Sequence, residues 1–245
     1  MERIGFVGAS GLMGHGMARN RVTKGFPLSY TVHRRNPADL ADAGAVVVDG
    51  NAELGRTCDI VIICVTDSSD VEQVVAGDDG LLSDPKPGLI IVDTSTSEPS
   101  STRRLAQLAA DKGVGYVDAP MTRGPEATAA GTVNTLVGAD DATFTRLEPV
   151  LRAYSENVFR CGGLGSAHTT KLLNNFLVQA TCTALSEAFA VAAKAGVDPQ
   201  QLVDILSAGI YESKLLHIME ATLHGDFAAM KFKLDNARKD VRYFN

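Results

Sequence analysis

The chain has 245 residues, of which 45% are hydrophobic and 21% are charged, and its 23 glycines follow no three-residue period. This composition is typical of a globular protein and excludes the disordered and fibrous classes. A balance of 23 Lys and Arg against 29 Asp and Glu gives a formal charge of -6. A surface that binds nucleic acid must neutralise many phosphates, so we expect no nucleic-acid partner.

The cysteines and the apolar runs bear on the compartment. Cys58, Cys64, Cys161 and Cys182 form no CxxC pair and have no histidine at zinc spacing, so we expect neither a disulfide framework nor a metal site. The N-terminus lacks a signal-peptide pattern, and no apolar run is longer than the six residues of 60–65, far fewer than the roughly 20 residues that span a bilayer. We therefore expect a cytoplasmic protein without a membrane partner.

Up to about residue 160, short β-branched runs alternate with longer helical patterns. Strands that alternate with helices indicate right-handed crossovers and a mainly parallel sheet that is covered on both faces. The predicted strands are residues 3–7, 30–33, 45–48, 59–65, 89–92, 115–118 and 135–137. This order predicts a Rossmann-type, doubly wound α/β domain over residues 1–163.

The remaining residues, 164–245, have a helical pattern. Apolar residues recur at helical spacing from about 165 to 195, which predicts one helix of roughly 45 Å at about 1.5 Å per residue. Gly196 ends this helix, and Asp198-Pro199 begins the next, because Asp accepts free N–H groups and Pro fits the first turn. Further helical patterns cover 202–208, 213–223 and 230–244. We expect an all-helical domain that begins with a long interdomain helix.

A glycine-rich turn, GASGLMG at residues 8–14, follows the first strand and precedes a helical pattern. Glycines permit a tight turn and a close approach to a pyrophosphate, and the helix N-terminus supplies N–H groups. The spacing is GxxGxxG, one residue longer than the common GxGxxG. Such turns also occur without a ligand, but this position favours a dinucleotide. The predicted contacts are Gly8, Gly11, Leu12, Met13 and Gly14.

The end of the second strand bears on which dinucleotide is bound. NAD sites usually have an acid there for the ribose hydroxyls, whereas NADP sites tend to have an arginine for the 2′-phosphate. Arg34 and Arg35 stand in place of the acid. A solvated basic turn is the alternative. After the glycine turn, we expect NADP to be preferred, with NAD as the second possibility.

Three polar segments follow later strands, at the sheet edge where parallel sheets bind ligands. They begin at Val65, Asp93 and Asp118. Hydroxyl-rich turns before a helix are often only N-caps. Arg123, between Thr and Gly-Pro, can bind a carboxylate, sulfonate or phosphate through its forked N–H donors. A surface arginine without a role is the alternative.

The predicted long helix begins with GSAHTTKLLNNF at residues 165–176. Lys171 and Asn175 are four residues apart and so share one helix face. Partial burial disfavours the charged form of a lysine and allows acid-base chemistry near neutral pH. An exposed Lys–Asn pair on a solvated face is the alternative, and His168 is interpreted as a structural or surface histidine.

With these segments in order, the sequence resembles the β-hydroxyacid dehydrogenase family, which includes 3-hydroxyisobutyrate dehydrogenase, tartronate semialdehyde reductase and sulfolactaldehyde reductase. The matching stretches are FVG..GLMGHGMARN at 6–20, DTSTSEP at 93–99, DAPMTRG at 118–124, GTVNTLVGAD at 131–140, KLLNN at 171–175 and ARKD at 237–240. They extend over nearly the whole chain.

The resemblance implies a role for each matching residue. Lys171 matches the catalytic acid-base residue, and Asn175 matches the residue that orients it and the substrate. The implied substrate-binding residues are Ser95, Thr122, Arg123, Gly124 and Asn174. The implied cofactor residues outside the glycine turn are Arg34, Arg35, Val65, Thr66, Thr96 and Lys239.

The chain departs from the family pattern in two places. Most members have SGG where this chain has Thr122-Arg123-Gly124, and an arginine there resembles the subset whose substrate has a second anionic group. The family also continues for several helices beyond the KD motif, so the resemblance implies that the helical domain is incomplete at its C-terminus.

We therefore expect an NAD(P)-dependent oxidoreductase that transfers a hydride between the nicotinamide and a small anionic substrate, a β-hydroxyacid or its semialdehyde. The long apolar helix and the family habit favour a homodimer or homotetramer. Two alternatives stay open: a non-catalytic dinucleotide-binding sensor or reader, and an imine-reductase or 6-phosphogluconate-dehydrogenase type of enzyme on the same fold.

Overall fold

The computed structural model describes residues 2–33 and 35–244. The chain forms two compact units, which divide between Lys171 and Leu172. The boundary predicted at residues 163 and 164 stays a prediction.

The first unit is built on one mixed sheet, which has nine strands among the described residues. They are β1 (Ile4–Val7), β2 (Leu28–Thr31), β3 (Val46–Val48), β4 (Ile60–Ile63), β5 (Ile90–Asp93), β6 (Gly115–Asp118), β7 (Met121–Thr122), β8 (Val133–Gly138) and β9 (Ser155–Gly162). The spatial order is β3-β2-β1-β4-β5-β6-β8-β7, with β9 paired to β8. The first six strands in this spatial order, from β3 to β6, are parallel to one another. Strand β8 is antiparallel to β6 and β7. The predicted doubly wound, mainly parallel sheet is confirmed.

The direction of chain progression reverses between β1 and β4. The first three strands extend the sheet toward one edge, and β4 to β6 extend it toward the other. Ile4 lies opposite Ile60 and Val7 lies opposite Ile63, so the turns that follow both strands begin at the same level. Open α/β sheets bind their ligands outside the carboxyl ends of the strands at such a reversal.

Helices cover both faces of the sheet. They are α1 (Gly14–Thr23), α2 (Ala38–Asp42), α3 (Asn51–Thr57), α4 (Ser68–Ala76), α5 (Pro99–Ala110), α6 (Pro125–Ala130), α7 (Asp141–Leu151) and the start of α8 (Ser166–Lys194). Alternate residues of β4 enter two separate hydrophobic clusters: Ile60 and Ile62 lie in one, and Val61 and Ile63 lie in the other. Since side chains alternate across a strand, burial on both faces explains the continuous apolar run.

The second unit is helical. It contains the rest of α8 together with α9 (Pro199–Ser207), α10 (Lys214–Glu220), a 3-10 helix (Ala221–His224) and α11 (Leu234–Phe244). Its hydrophobic cluster consists of Leu185, Phe189, Val203, Leu216 and Met219. The Asp198 side chain accepts a hydrogen bond of 3.0 Å from the N–H of Gln200, as the sequence predicts for the start of α9. The predicted long helix is also confirmed, to within one residue at each end.

Helix α8 has the length and apolar composition of a membrane-crossing helix. Its most apolar 18-residue segment has a mean hydropathy of 1.4, and 17% of that segment is buried. No other helix in the described part of the chain meets this test. A single such helix is weak evidence, because the core helix of a soluble protein also meets it.

Two strands, β7 and β9, are absent from the sequence-based prediction. Strand β7 has only two residues, too few for a pattern. Strand β9 (SENVFRCG) contains polar residues throughout and is only partly buried, so it shows neither alternation nor a continuous apolar run. Strand β2 begins two residues earlier than predicted, because Leu28 and Tyr30 are its buried residues and Val32 lies beyond the pairing.

Arg21 of α1 is an unusual part of the core. Its side chain is completely buried, and its Nη1 donates a hydrogen bond to the carbonyl oxygen of Val150. The Nε and Nη2 atoms have no hydrogen-bond partner among the described residues, although the Phe26 ring lies 4.9 Å from the guanidinium carbon. Burial lowers the pKa of Arg21 to about 10. The folded protein therefore carries a cation in a site that disfavours charge.

We expect Arg21→Met to stabilise the protein. A drop in pKa from 12.5 to about 10 corresponds to roughly 3 kcal/mol of unfavourable burial. Methionine removes this cost of burying a charge but loses one hydrogen bond and the cation–π contact with the Phe26 ring, so the free energy of unfolding should rise by about 1–3 kcal/mol, measured by urea denaturation. Arg21→Lys keeps the charge and should give no gain. A less stable Arg21→Met variant would contradict this reading of the core.

Candidate active site

Two glycines determine the shape of the turn after β1. Gly8 has φ +92°, and a Cβ atom there would lie 2.1 Å from the carbonyl oxygen of Cys64. A Cβ atom on Gly14 would lie 2.2 Å from the carbonyl oxygen of Gly8. Gly11 closes the turn through its N–H, 2.9 Å from that same Gly8 oxygen. Gly8 and Gly14 therefore admit no side chain, and the turn brings bare backbone to its outer surface.

Helix α1 begins at Gly14, and in its first turn the N–H of His15 already donates to the carbonyl oxygen of Gly11 at 3.0 Å. Among the described residues, no side chain caps this end and no acidic residue lies in the first turn. Leu12 is 77% exposed, so the turn is open to solvent. A helix N-terminus of this kind favours an anion, and the phosphates of a dinucleotide meet that requirement.

A cavity of about 650 Å³ opens where the strand order reverses. Its lining residues lie at or just after the ends of β1, β2, β3 and β4, at the start of α3, in α4 and in the loop after α4. They are Val7, Gly8, Ser10, Gly11, Thr31, Val32, His33, Arg35, Asp49, Gly50, Asn51, Cys64, Val65, Thr66, Asp70, Gln73, Val74 and Asp79. Five predicted cofactor residues line it: Gly8, Gly11, Arg35, Val65 and Thr66. Leu12, Met13, Gly14 and Thr96 are not among its lining residues.

The end of β2 gives this cavity a basic side. His33 and Arg35 are exposed and line it, and Arg34 lies outside the described residues. The first carboxylate after β2 in the sequence is that of Asp39, which lies 3.0 Å from His15 Nε2. This hydrogen bond lowers the pKa of Asp39. The cavity lining itself contains three carboxylates, Asp49 after β3, Asp70 in α4 and Asp79 after α4, and Asp79 accepts from the N–H groups of Asn51 and Ala52.

Two completely buried carboxylates lie at the ends of β5 and β6. Asp93 holds the segment after β5, because its Oδ1 accepts from the N–H of Ser95 at 2.9 Å and its Oδ2 accepts from Ser97 Oγ at 2.8 Å. The hydroxyl of Tyr116 lies 3.3 Å from the same Oδ2. Burial raises the pKa of Tyr116 well above its ordinary value, so it stays a hydrogen-bond donor.

Asp118 caps helix α8. Its Oδ1 accepts from the N–H of Gly165 and its Oδ2 accepts from the N–H of His168, both at 2.8 Å. A carboxylate that binds two N–H groups at a helix N-terminus is favoured by the hydrogen bonds and by the helix dipole. The first turn of α8 is therefore fixed to the carboxyl end of β6.

His168 joins this turn to the segments after β4 and β5. Its side chain is completely buried, with Nδ1 2.7 Å from Thr102 Oγ1 and Nε2 3.2 Å from the carbonyl oxygen of Ser95. Ser95 Oγ in turn accepts from the N–H of Val65 at 3.0 Å. One buried network therefore joins the carboxyl ends of three neighbouring strands to the start of α8. His168 is therefore a structural histidine, one of the two possibilities that the sequence analysis gave.

Lys171 is half-buried and follows His168 by three residues in α8. At about 1.5 Å per residue, it lies roughly 4.5 Å further along the helix axis. The turn that carries this amine is thus the one next to the Asp118 cap. Ser95 and Val65, which the sequence assigned to the substrate and to the cofactor, belong to the same network.

In the second unit, Asp240 brings the two predicted asparagines and Lys239 together. Asn175 Nδ2 donates to Asp240 Oδ2 at 2.6 Å, and Asn174 Nδ2 donates to Asn175 Oδ1 at 3.1 Å. Lys239 Nζ lies 3.1 Å from Asp240 Oδ1. Asp240 is buried, and the sequence analysis gave it no role. The KLLNN and ARKD motifs therefore meet through one carboxylate.

The Thr122-Arg123-Gly124 segment lies between β7 and α6. Arg123 has φ +73°, a conformation that L side chains adopt at a cost of roughly 1–3 kcal/mol. Its Nη1 donates to the carbonyl oxygen of Thr132 and forms an ion pair with Glu156 of β9. Both members of the pair are about half exposed. Sequence reasoning missed Glu156, which is 33 residues away in a strand that was not predicted.

Two family models match the chain over nearly its whole length. The NAD binding domain of 6-phosphogluconate dehydrogenase matches residues 3–163. The NAD-binding domain of NADP-dependent 3-hydroxyisobutyrate dehydrogenase matches residues 165–245.

Two relatives and one solved structure are also similar to the chain over most of its length. The chain is 34% identical to 2-(hydroxymethyl)glutarate dehydrogenase of Eubacterium barkeri, over 98% of this chain and 80% of the relative. It is also 34% identical to 2-hydroxy-3-oxopropionate reductase of Escherichia coli, over 88% of this chain and 74% of the relative. The crystal structure of a 3-hydroxyisobutyrate dehydrogenase from Salmonella typhimurium superposes with a TM-score of 0.82 at 28% identity, covering 100% of this chain and 86% of that one.

Proposed function

Because this chain belongs to the β-hydroxyacid dehydrogenase family, we propose that it is an NADP-preferring oxidoreductase that interconverts a small β-hydroxyacid and its semialdehyde. The observation that carries the proposal is the position of Lys171. It lies in the KLLNN motif, on the helix that Asp118 and His168 fasten to the carboxyl edge of the sheet. The glycine turn and its cavity open at the same edge.

The residues present fit a nicotinamide dinucleotide. The close approaches at Gly8 and Gly14 leave bare backbone where a pyrophosphate would lie, and the cavity beside them has about 650 Å³. His33 and Arg35 would meet the 2′-phosphate of NADP, with Arg34 as a third basic residue in the sequence. Val65, Thr66, Thr96 and Lys239 would hold the remainder of the cofactor. The bound dinucleotide supplies the hydride or accepts it.

The residues of the chain bind the substrate and move the proton. Lys171 donates a proton to the carbonyl oxygen as negative charge grows there, and in the reverse direction the amine accepts the hydroxyl proton. Asn175 orients the amine and the substrate. The carboxylate or similar anion is held by Ser95, Thr122, Arg123, Gly124 and Asn174.

Arg123 is the residue that we propose binds a second anionic group of the substrate. An exposed ion pair is worth only about 0–1 kcal/mol, so a substrate anion can replace Glu156 on the guanidinium at little cost. A positive φ at a non-glycine residue is itself common at ligand-binding sites. We therefore favour a substrate with a carboxylate and one further anion.

We expect Arg123→Ala to raise KM for aldehyde acids with two anionic groups by about 10- to 100-fold, the equivalent of one charge-assisted hydrogen bond. KM for aldehyde acids with one anionic group should change much less. Steady-state kinetics with both classes measures the difference. Arg146→Ala, which breaks a similar exposed pair with Glu2, is the matched control. An equal loss for both classes would refute this specificity role.

We further propose a cytoplasmic homodimer or homotetramer. The exposed apolar side chains of α8, such as Leu177 and Val191 at 64% each, support association. Size-exclusion chromatography with light scattering tests the oligomeric state.

Titration with NADPH and NADH, followed by a panel of short aldehyde acids, tests the proposed function. We expect tighter binding of NADPH and its oxidation by at least one member of the panel. Cofactor binding without any turnover would favour the sensor or reader instead. Turnover restricted to imines or sugar phosphates would favour the other enzyme types on this fold.

A further inference from the structure

The network around His168 contains more polar groups than a helix start requires. Asp118 alone satisfies two N–H groups of the first turn. His168 adds a second connection, from the side of the helix, to α5 through Thr102 and to the segment after β5 through Ser95. The three side chains are at most 3% exposed. Buried polar groups are kept only when they are paired, and these are paired with each other.

The proton positions on His168 follow from its partners. The carbonyl oxygen of Ser95 can only accept, so Nε2 carries a proton and donates at 3.2 Å. Thr102 Oγ1 lies 2.7 Å from Nδ1 and 3.1 Å from the carbonyl oxygen of Glu98, so its single proton serves one of these two acceptors at a time. Both ring nitrogens are used, and each holds a different element of the first unit. The imidazole therefore resists rotation of α8 about its own axis, whereas the Asp118 cap resists its translation.

Rotation of α8 matters because of the length of the lysine side chain. Helix Cα atoms lie about 2.3 Å from the axis, and an extended lysine places its amine roughly 6 Å further out. A rotation of about 10° would then move the amine by roughly 1.5 Å. Misplacement of a reacting group by about 1 Å can lower the rate by roughly 100-fold.

We infer that His168 is a positioning residue for Lys171, which it orients by holding the first turn of α8 against Thr102 and the carbonyl group of Ser95. This inference rests on the proposed acid-base role of Lys171. His168 does not touch the reacting atoms. Since His168 also holds the carbonyl group of Ser95, a predicted substrate residue, a rise in KM without a fall in kcat would assign its effect to Ser95 and overturn the inference.

The test combines single and double variants. His168→Ala should lower kcat by about 10- to 100-fold, with KM and the Kd of NADPH nearly unchanged. His168→Gln should recover most of this loss, because its amide can donate to the Ser95 carbonyl and accept from Thr102. In a Lys171→Ala background, His168→Ala should have no further effect on the residual rate, since the group that it positions is already gone.

Controls separate positioning from general destabilisation. Leu147→Ala opens a cavity in the core at α7 and should cost about 2–5 kcal/mol of stability while leaving kcat near the wild-type value. Thr102→Val removes one of the two contacts of His168 and serves if His168→Ala does not fold. Wild-type kcat in the foldable variants would overturn the inference. A further loss in the Lys171→Ala background would also overturn it.

A second readout does not depend on turnover. The rate at which an acylating reagent modifies Lys171, followed by mass spectrometry across a pH series, reports the surroundings of its amine. In His168→Ala, we expect the Lys171 profile to move toward that of exposed Lys194 on the same helix. An unchanged profile would overturn the inference. If the wild type oxidises no NADPH with any substrate, the proposed function fails, and this labelling experiment still decides whether His168 positions Lys171.

Discussion

Lys171→Ala is expected to lower kcat by about 10²- to 10⁴-fold, the usual contribution of a general acid-base residue. The Kd of NADPH should stay near its wild-type value, because the glycine turn and the cavity after β1 and β4 are unaltered. Stopped-flow measurement of NADPH oxidation gives the rate, and fluorescence titration of NADPH gives the affinity. The pH dependence of kcat should also lose the limb that belongs to the amine.

Lys194→Ala is the matched control for this prediction. It removes the same charge from the last turn of the same helix, where the side chain is exposed, and should leave kcat unchanged. Full activity of Lys171→Ala would remove this residue from the mechanism. Loss of NADPH affinity in parallel with kcat would instead assign Lys171 to cofactor binding.

The second large effect concerns the choice of dinucleotide. We expect the wild type to bind NADPH more tightly than NADH, because His33 and Arg35 line the cavity after β2 and Asp39, the first acid after β2 in the sequence, is paired with His15. Arg35→Ala should weaken NADPH binding by about 10- to 100-fold, the equivalent of lost charge-assisted hydrogen bonds to a phosphate. NADH binding should change little. Isothermal titration calorimetry with both cofactors measures the shift.

Arg56→Ala, which removes an equal charge from α3 outside the cavity lining, is the control for Arg35→Ala. Arg34→Asp, designed from the sequence alone, should reverse the order of the two cofactors, since an acid at this point of a dinucleotide fold accepts the ribose hydroxyls of NAD. Tighter binding of NADH by the wild type would contradict the assignment of this basic segment.

Most strands of the sheet could be predicted from the sequence, because they are buried on both faces. Residues 60–63 form a continuous apolar run for this reason, and the alternation with helical patterns indicates the parallel order. The long helix could also be predicted, since neither proline nor glycine interrupts the helical pattern between Ser166 and Lys194. Strand β9 could not be predicted from the sequence, because a partly exposed strand with polar residues has no distinctive period.

The connections within the candidate site could not be predicted, because they join residues that are distant in the sequence. Asp118 and Gly165 are 47 residues apart, and His168 and Ser95 are 73 apart. A carboxylate that ends a buried strand signals that a partner is needed, but it does not say which one. The same holds for Asp240, whose contact with Asn175 spans 65 residues.

Transfer of deuterium from NADPH that carries deuterium in place of both hydrogens at C4 tests the central claim most directly. The wild type, given the aldehyde acid that it turns over fastest, should yield a hydroxyacid with one deuterium on the carbon that bears the new hydroxyl group, as read by NMR. Lys171→Ala should yield the same labelled product far more slowly. Bound NADPH with no label in any product of the panel would contradict the account.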